Sequence, residues 1–150
     1  MLGGEGIRRE GVILRYGQGV RRVGIVFLLL ISSACAPATS DNAAVARDYA
    51  EKRSTVEVTA EGAVTRVLAD ESGPSGLHQR FIIRLAGSTQ TVLVENNVTI
   101  GQRAPVLVGD DVMVHGEYVW NDQGGLIHFT HHDPAPAHEG GWIELKGVRY

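Results

Sequence analysis

The sequence predicts an all-β chain that folds as one small barrel of five to six strands. Three observations lead there. Apolar residues recur at every second position in several short runs, which is the period of a half-buried strand. Nineteen glycines punctuate the 150 residues, and valine and threonine are frequent between them, as in short strands joined by turns. Extended helix-period patterns are scarce. Removing a targeting segment would leave roughly 115 residues, enough for a single core and too few for two.

The first 35 residues read as a bacterial export signal. Arg8, Arg9, Arg15, Arg21 and Arg22 precede the apolar run from Val23 to Ile31, and Ser32-Ser33-Ala34-Cys35 follows it. Positive charge holds the start in the cytoplasm, the short apolar core enters the bilayer, and small residues suit a peptidase. The run is short for a spanning helix. The lead before Arg21-Arg22 fits either a long basic region or a translation start nearer that pair. Cys35 is the single cysteine. Its setting resembles the lipobox of bacterial lipoproteins, with Ser32 where leucine is usual, and that resemblance implies a diacylglyceryl anchor on Cys35. Ordinary secretion and a retained anchor helix are the alternatives. Ala36 after the cysteine carries the expectation of outer-membrane sorting on the periplasmic side.

Residues 36–53 are small and polar, with a mild helix-forming run from Ala44 to Ala50, and are expected to be a flexible tether carrying one frayed helix. Residues 54–150 are expected to be the barrel. Val56 and Val58 alternate with Glu57 and Thr59, and apolar residues resume at Val64 and Val67, so a long first strand with a bulge near Gly62 is predicted. Ser72-Gly73-Pro74-Ser75-Gly76 is a turn. Gln79, Phe81, Ile83 and Leu85 mark the inner face of a second strand, with His78, Arg80, Ile82 and Arg84 on the outer one. Thr91 to Glu95 makes a third strand, ending at Asn96-Asn97.

Ile100 to Gly109 lacks alternation and reads as a crossover. It leads into Val106-Leu107-Val108-Gly109-Asp110-Asp111-Val112-Met113-Val114-His115-Gly116, which resembles the fourth strand of oligonucleotide/oligosaccharide-binding (OB) barrels, where glycine lets the strand bend around a small closed sheet. The expected architecture is therefore OB-like. Trp142 to Tyr150 is expected to add a short closing hairpin over the barrel's surface or mouth.

Patterning also sets the register of the last two barrel strands. With residues 121–124 as the loop, Tyr118 faces Ile127 and Glu117 faces His128, and apolar partners share one face. Continuing that ladder would set Gly116 opposite Phe129, His115 opposite Thr130, and Val114 opposite His131. His131 then falls on the apolar face, where its expected role is structural, with one ring nitrogen bonded to backbone.

Four of the six histidines and both tryptophans lie between Gly116 and Trp142. His128-x-x-His131-His132-Asp133 looks like a metal motif, but on a strand rising about 3.3 Å per residue His128 and His132 would stand roughly 13 Å apart. A metal centre has instead to be built across strands. Glu117, His128 and His115 are the candidate ligands, with Asp133 or His138 from the loop, and zinc or manganese the candidate ion. Two further readings stay open. His132, Asp133, His138 and Glu139 could form an acid/base or hydrolytic group, although Asp133 before Pro134 also suits turn capping. Alternatively, a small-ligand or partner site could use His78, Arg80, Trp120, His132, Asp133, His138 and Trp142, with the tryptophans stacking on a ring or merely sealing the barrel.

Composition narrows the partners. Past Cys35, nine Lys and Arg stand against fifteen Asp and Glu, formally −6, which argues against unspecific nucleic-acid binding. No phosphate-binding glycine loop, serine elbow or dinucleotide fingerprint is present in the sequence. A binding module for an envelope ligand or protein is the favoured function, and a metal-assisted hydrolase is the alternative.

His78 to Leu85, Gly116 to Asn121, Gly124 to Pro134 and His138 to Ile143 together resemble a family of small exported bacterial proteins known as domain of unknown function 3465. The resemblance spans roughly residues 56–150, with Phe129 where tryptophan is expected. It implies no activity, substrate or cofactor.

Overall fold

The computed structural model describes residues 38–135 and 138–150. The expected export signal and Cys35 lie outside the described residues. In chain order the elements are α1 (Asn42–Ala50), β1 (Val56–Val67), β2 (Glu71–Gly73), β3 (Gly76–Leu85), β4 (Thr91–Asn97), β5 (Asp111–Val119), β6 (Leu126–His128), β7 (Trp142–Leu145) and β8 (Val148–Arg149). Among the described residues no helix is long and apolar enough to cross a membrane.

Five strands close on themselves in the order β1–β3–β4–β6–β5 and back to β1. The β4–β6 pairing is parallel and the other barrel pairings are antiparallel. This is the OB arrangement predicted from the fourth-strand pattern. Two hairpins are additions to it: β2 folds back on β3, and β7 with β8 continues the sheet beyond β5.

Alternation along each strand supplies the core. Val58, Ala60 and Val64 of β1, Phe81, Ile83 and Leu85 of β3, Val92 and Val94 of β4, Val112, Val114 and Tyr118 of β5, and Ile127 of β6 all point inward and are buried. One detail differs from the expected bulge. The β1–β3 register slips between Val64 and Arg66, so the extra residue is Thr65, and alternation runs unbroken through Gly62. Gly62 serves a different purpose. It pairs with Leu85 on one side and Val112 on the other, and a Cβ there would overlap the Arg84 carbonyl oxygen. The bare backbone lets β1 coil tightly enough to touch both ends of the sheet.

Over the described part of the 36–53 segment, from residue 38 on, the expectation of a flexible tether requires correction. Asp41 caps α1 by accepting the Ala44 N–H at 2.9 Å, and the Asp41 N–H donates to the Thr59 carbonyl at 2.8 Å. The Asn42 side chain donates to the Glu61 carbonyl and accepts the Glu61 N–H. Val45 is fully buried in the barrel core, and Asp48, 1% exposed, is paired with Arg53 at 3.2 Å. A frayed helix in a tether would bury no such residues. A weak apolar spacing, Val45 and then Tyr49, is enough once α1 sets those side chains against the barrel core.

The crossover between β4 and β5 has no helix of its own. Two buried amides hold it: Gln79 donates to the Ala104 carbonyl and accepts the Ala104 N–H, and Asn96 donates to the Gln102 carbonyl at 2.7 Å. Ala104 and Val106 are thereby pressed into the core.

Candidate functional site

The site grows out of an interrupted strand. β5 meets β1 along one edge, but its other edge is shared, with residues 117–119 pairing to β6 and residues 112–115 to β7. The Glu117–His128 and Tyr118–Ile127 pairs fall where patterning set them. The ladder then stops. Phe129 takes φ +53°, a left-handed conformation that ends the strand, and the expected Gly116–Phe129, His115–Thr130 and Val114–His131 pairs do not form. The chain leaves the sheet, passes through residues 129–141, and returns as β7 with Trp142 opposite His115. Alternation cannot reveal such an exit, because the residues past His128 keep an alternating pattern without being in a strand.

The excursion is held in place. Gly141 N–H donates to the His131 carbonyl at 3.0 Å, closing it, and Thr130 Oγ1 donates to the Glu95 carbonyl at 3.2 Å. Asp133 accepts the Ala135 and His138 N–H groups at 2.8 and 3.0 Å, the capping chemistry of an aspartate before proline. Gly141 lies so close to β5 that a Cβ would overlap both the Phe129 and His115 carbonyl oxygens. His131 is 3% exposed, and its Nδ1 lies 2.9 Å from the His132 carbonyl oxygen.

Two clusters result. The first is a cavity of about 220 Å³ where the start of β3 and the ends of β4 and β6 meet the excursion. His78, His128, His131, His138, Phe129 and Glu95 are among its lining. The rings of His128, Phe129 and His138 are stacked, each centroid 4.0 Å from the next, and His131 meets His138 edge-on at 5.4 Å. His138 Nδ1 lies 2.6 Å from the Glu139 carbonyl oxygen and its Nε2 3.8 Å from Asp133 Oδ2. The cavity thus offers aromatic faces beside imidazole nitrogens and carboxylates. It can grip a small ring by stacking while bonding its polar edge.

The second cluster covers the outer face of β1 and β5. Glu57, Glu117 and His128 form one cross-strand row; Thr59, His115 and Trp142 form the next. His128 Nε2 is 2.9 Å from Glu117 Oε1. His115 turns away from that pair. Its Nε2 is 3.4 Å from Glu139 Oε1 and 4.0 Å from Glu57 Oε2, its Nδ1 is 2.9 Å from Thr59 Oγ1, and its ring lies against Trp142. Burial and the nearby Glu139 and Glu117 carboxylates raise the proton affinity of Glu57, against the opposing pull of His115 and His138.

The residues singled out from sequence are therefore divided. His78, Asp133 and His138 line the cavity, joined by His128 and His131. Arg80 lies beside it, ion-paired to Glu71 and, with Nε 3.1 Å from Oε1, to Glu95. His132 is exposed. Trp120 packs against the core near Lys52, and Trp142 is flanked by His115 and Arg149, so neither lines the cavity. Of the expected metal set, Glu117 and His128 meet, while His115 joins Glu57 and Glu139 instead. Among the described residues, Glu57, His115 and Glu139 are the group whose donor atoms all come within 4.8 Å of one another. Glu57 carries no local signal: it sits about sixty residues from His115 in an ordinary alternating strand, and only the β1–β5 closure brings it in.

A closed five-stranded OB-type barrel with a ring-lined cavity at one end and a polar face beside it belongs to the class of small β-barrel domains. The chain is a member of the family described as protein of unknown function (DUF3465), whose model matches residues 25–150. No curated protein matches it.

Proposed function

We propose that this chain is a binding module of the bacterial cell envelope that holds a small ring-bearing ligand in the histidine-lined cavity. The observation that carries the reading is the stacked wall of His128, Phe129 and His138 around about 220 Å³ of space with convergent polar groups. That volume suits a single ring with a few substituents and is below the range of drug-sized pockets. The placement in the envelope rests on the Arg-rich start, the apolar run and Cys35, which support a lipid-anchored, periplasm-facing protein of the outer membrane.

The test is a thermal-shift panel of nucleosides, monosaccharides and aromatic amino acids on the full-length chain. A binder should raise Tm, and the rise should disappear in His138→Ala while persisting in Trp120→Ala. A rise that survives His138→Ala but is lost in Arg80→Ala would move the site to the outer face of β3 and β4. No rise with any member of the panel would remove the reading.

A further inference from the structure

We propose that Glu57, His115 and Glu139 bind one divalent first-row metal ion on the outer face of β1 and β5. This is independent of the ligand cavity. The three side chains come from a first strand, a fifth strand and a loop that share no sequence neighbourhood, and their donor atoms lie within 4.8 Å of one another.

Distances decide whether an ion fits. Ligands held about 2.0 Å from a tetrahedral zinc ion stand roughly 3.3 Å apart. His115 Nε2 and Glu139 Oε1 are 3.4 Å apart, and Glu57 Oε2 is 4.0 Å from the same nitrogen. The remaining gap is on the Glu57 side, whose carboxylate, 32% exposed in its side chain, has to move toward the imidazole nitrogen.

The imidazole is already oriented. Thr59 Oγ1 engages Nδ1 at 2.9 Å, and the Trp142 ring lies nearly parallel at 5.7 Å, so Nε2 is directed at the two carboxylates. A ligating histidine characteristically has its second nitrogen tied in this way. Charge points in the same direction. Among the described residues, Glu57 and Glu139 have His115 as their ion-pair partner and no lysine or arginine within reach. Arg149, which lies over the Trp142 ring, is committed to Glu144. Gly141 completes the site, because only a residue without Cβ lets the loop approach β5 closely enough to deliver Glu139. One imidazole and two carboxylates form a mixed nitrogen and oxygen donor set that zinc and manganese both accept, and three protein ligands leave a coordination position open to solvent.

The competing state is an imidazolium at His115 bridging the two carboxylates with no metal. Calorimetric titration of chelator-treated full-length protein with zinc and with manganese separates the two. The expected result is one ion per chain and a rise in Tm, with affinity weakened about tenfold or more in both Glu57→Gln and Glu139→Gln. Glu51→Gln, at an exposed carboxylate outside the three-residue group, should bind as the wild type does. Melts of the two Gln variants without metal establish that they fold. If neither ion binds, or if uptake persists unchanged in both Gln variants, the proposal is overturned. Neither outcome bears on the organic ligand panel.

Discussion

Glu117 Oε1 and His128 Nε2 stand 2.9 Å apart across the β5–β6 ladder, at the last register position before the chain leaves the sheet. Both side chains are mostly buried, so the contact is worth more than an exposed pair. A double-mutant cycle with Glu117→Gln and His128→Gln should return a coupling of about 1 kcal/mol in urea denaturation. A coupling near zero would mean that the short β6 strand is held by its backbone and Ile127 alone.

Gly62→Ala tests the closure of the barrel. The new methyl must displace the Arg84 carbonyl or straighten β1, and overpacking of this kind costs about 2–3 kcal/mol. The expected sign is a lower midpoint in chemical denaturation with no change in ligand or metal stoichiometry.

Val45→Ala tests whether α1 belongs to the domain. The side chain is fully buried in the barrel core, so its truncation should cost about 2 kcal/mol. A freely moving tether would register no change in stability.

Tyr118 gives a pH signature. Its hydroxyl donates to the Gly124 carbonyl at 3.2 Å, and burial, with smaller contributions from Tyr49 and Asp48, pushes its pKa up from 10.0 to about 12. The folded state therefore holds the proton where the unfolded chain releases it. Its contribution is complete below pH 10 and is lost as pH climbs toward 12. Denaturation midpoints should fall across that interval, and Tyr118→Phe should flatten the decline.

Cys35 is the candidate acylation site. Metabolic labelling with a fatty acid should mark the wild-type protein in a membrane fraction and fail to mark Cys35→Ser. A wild-type protein recovered unlabelled from the periplasm would remove the lipid anchor from the proposal.

Legibility followed the range of the interactions involved. The inward faces of β3 and β5 and the Glu117–His128 register could be read directly, since each follows from alternation and a short loop. The helix at residues 42–50 was misread as tether because its burial hangs on Val45 and Asp48 meeting a surface made by other segments. The strand exit at Phe129 was missed because a left-handed φ at a non-glycine residue has no compositional mark. The candidate site divides in the same way: His78, Asp133 and His138 fall together along the cavity, while His115 lies beside Glu57 and Glu139 rather than with the Glu117–His128 pair.

The sequence by itself determined the all-β class and most of the inward-facing side chains, because a period of two and glycine-marked turns act over a few residues, and the fourth-strand pattern carried the resemblance to OB barrels. Only the tertiary structure decided that β7 replaces β6 along half of β5, that the excursion stacks His128, Phe129 and His138, and that Glu57 reaches His115. Those relationships arise when β1 closes the barrel against β5. The physical reason is that closure sets residues about sixty positions apart side by side, and no local pattern in either strand encodes the identity of its partner.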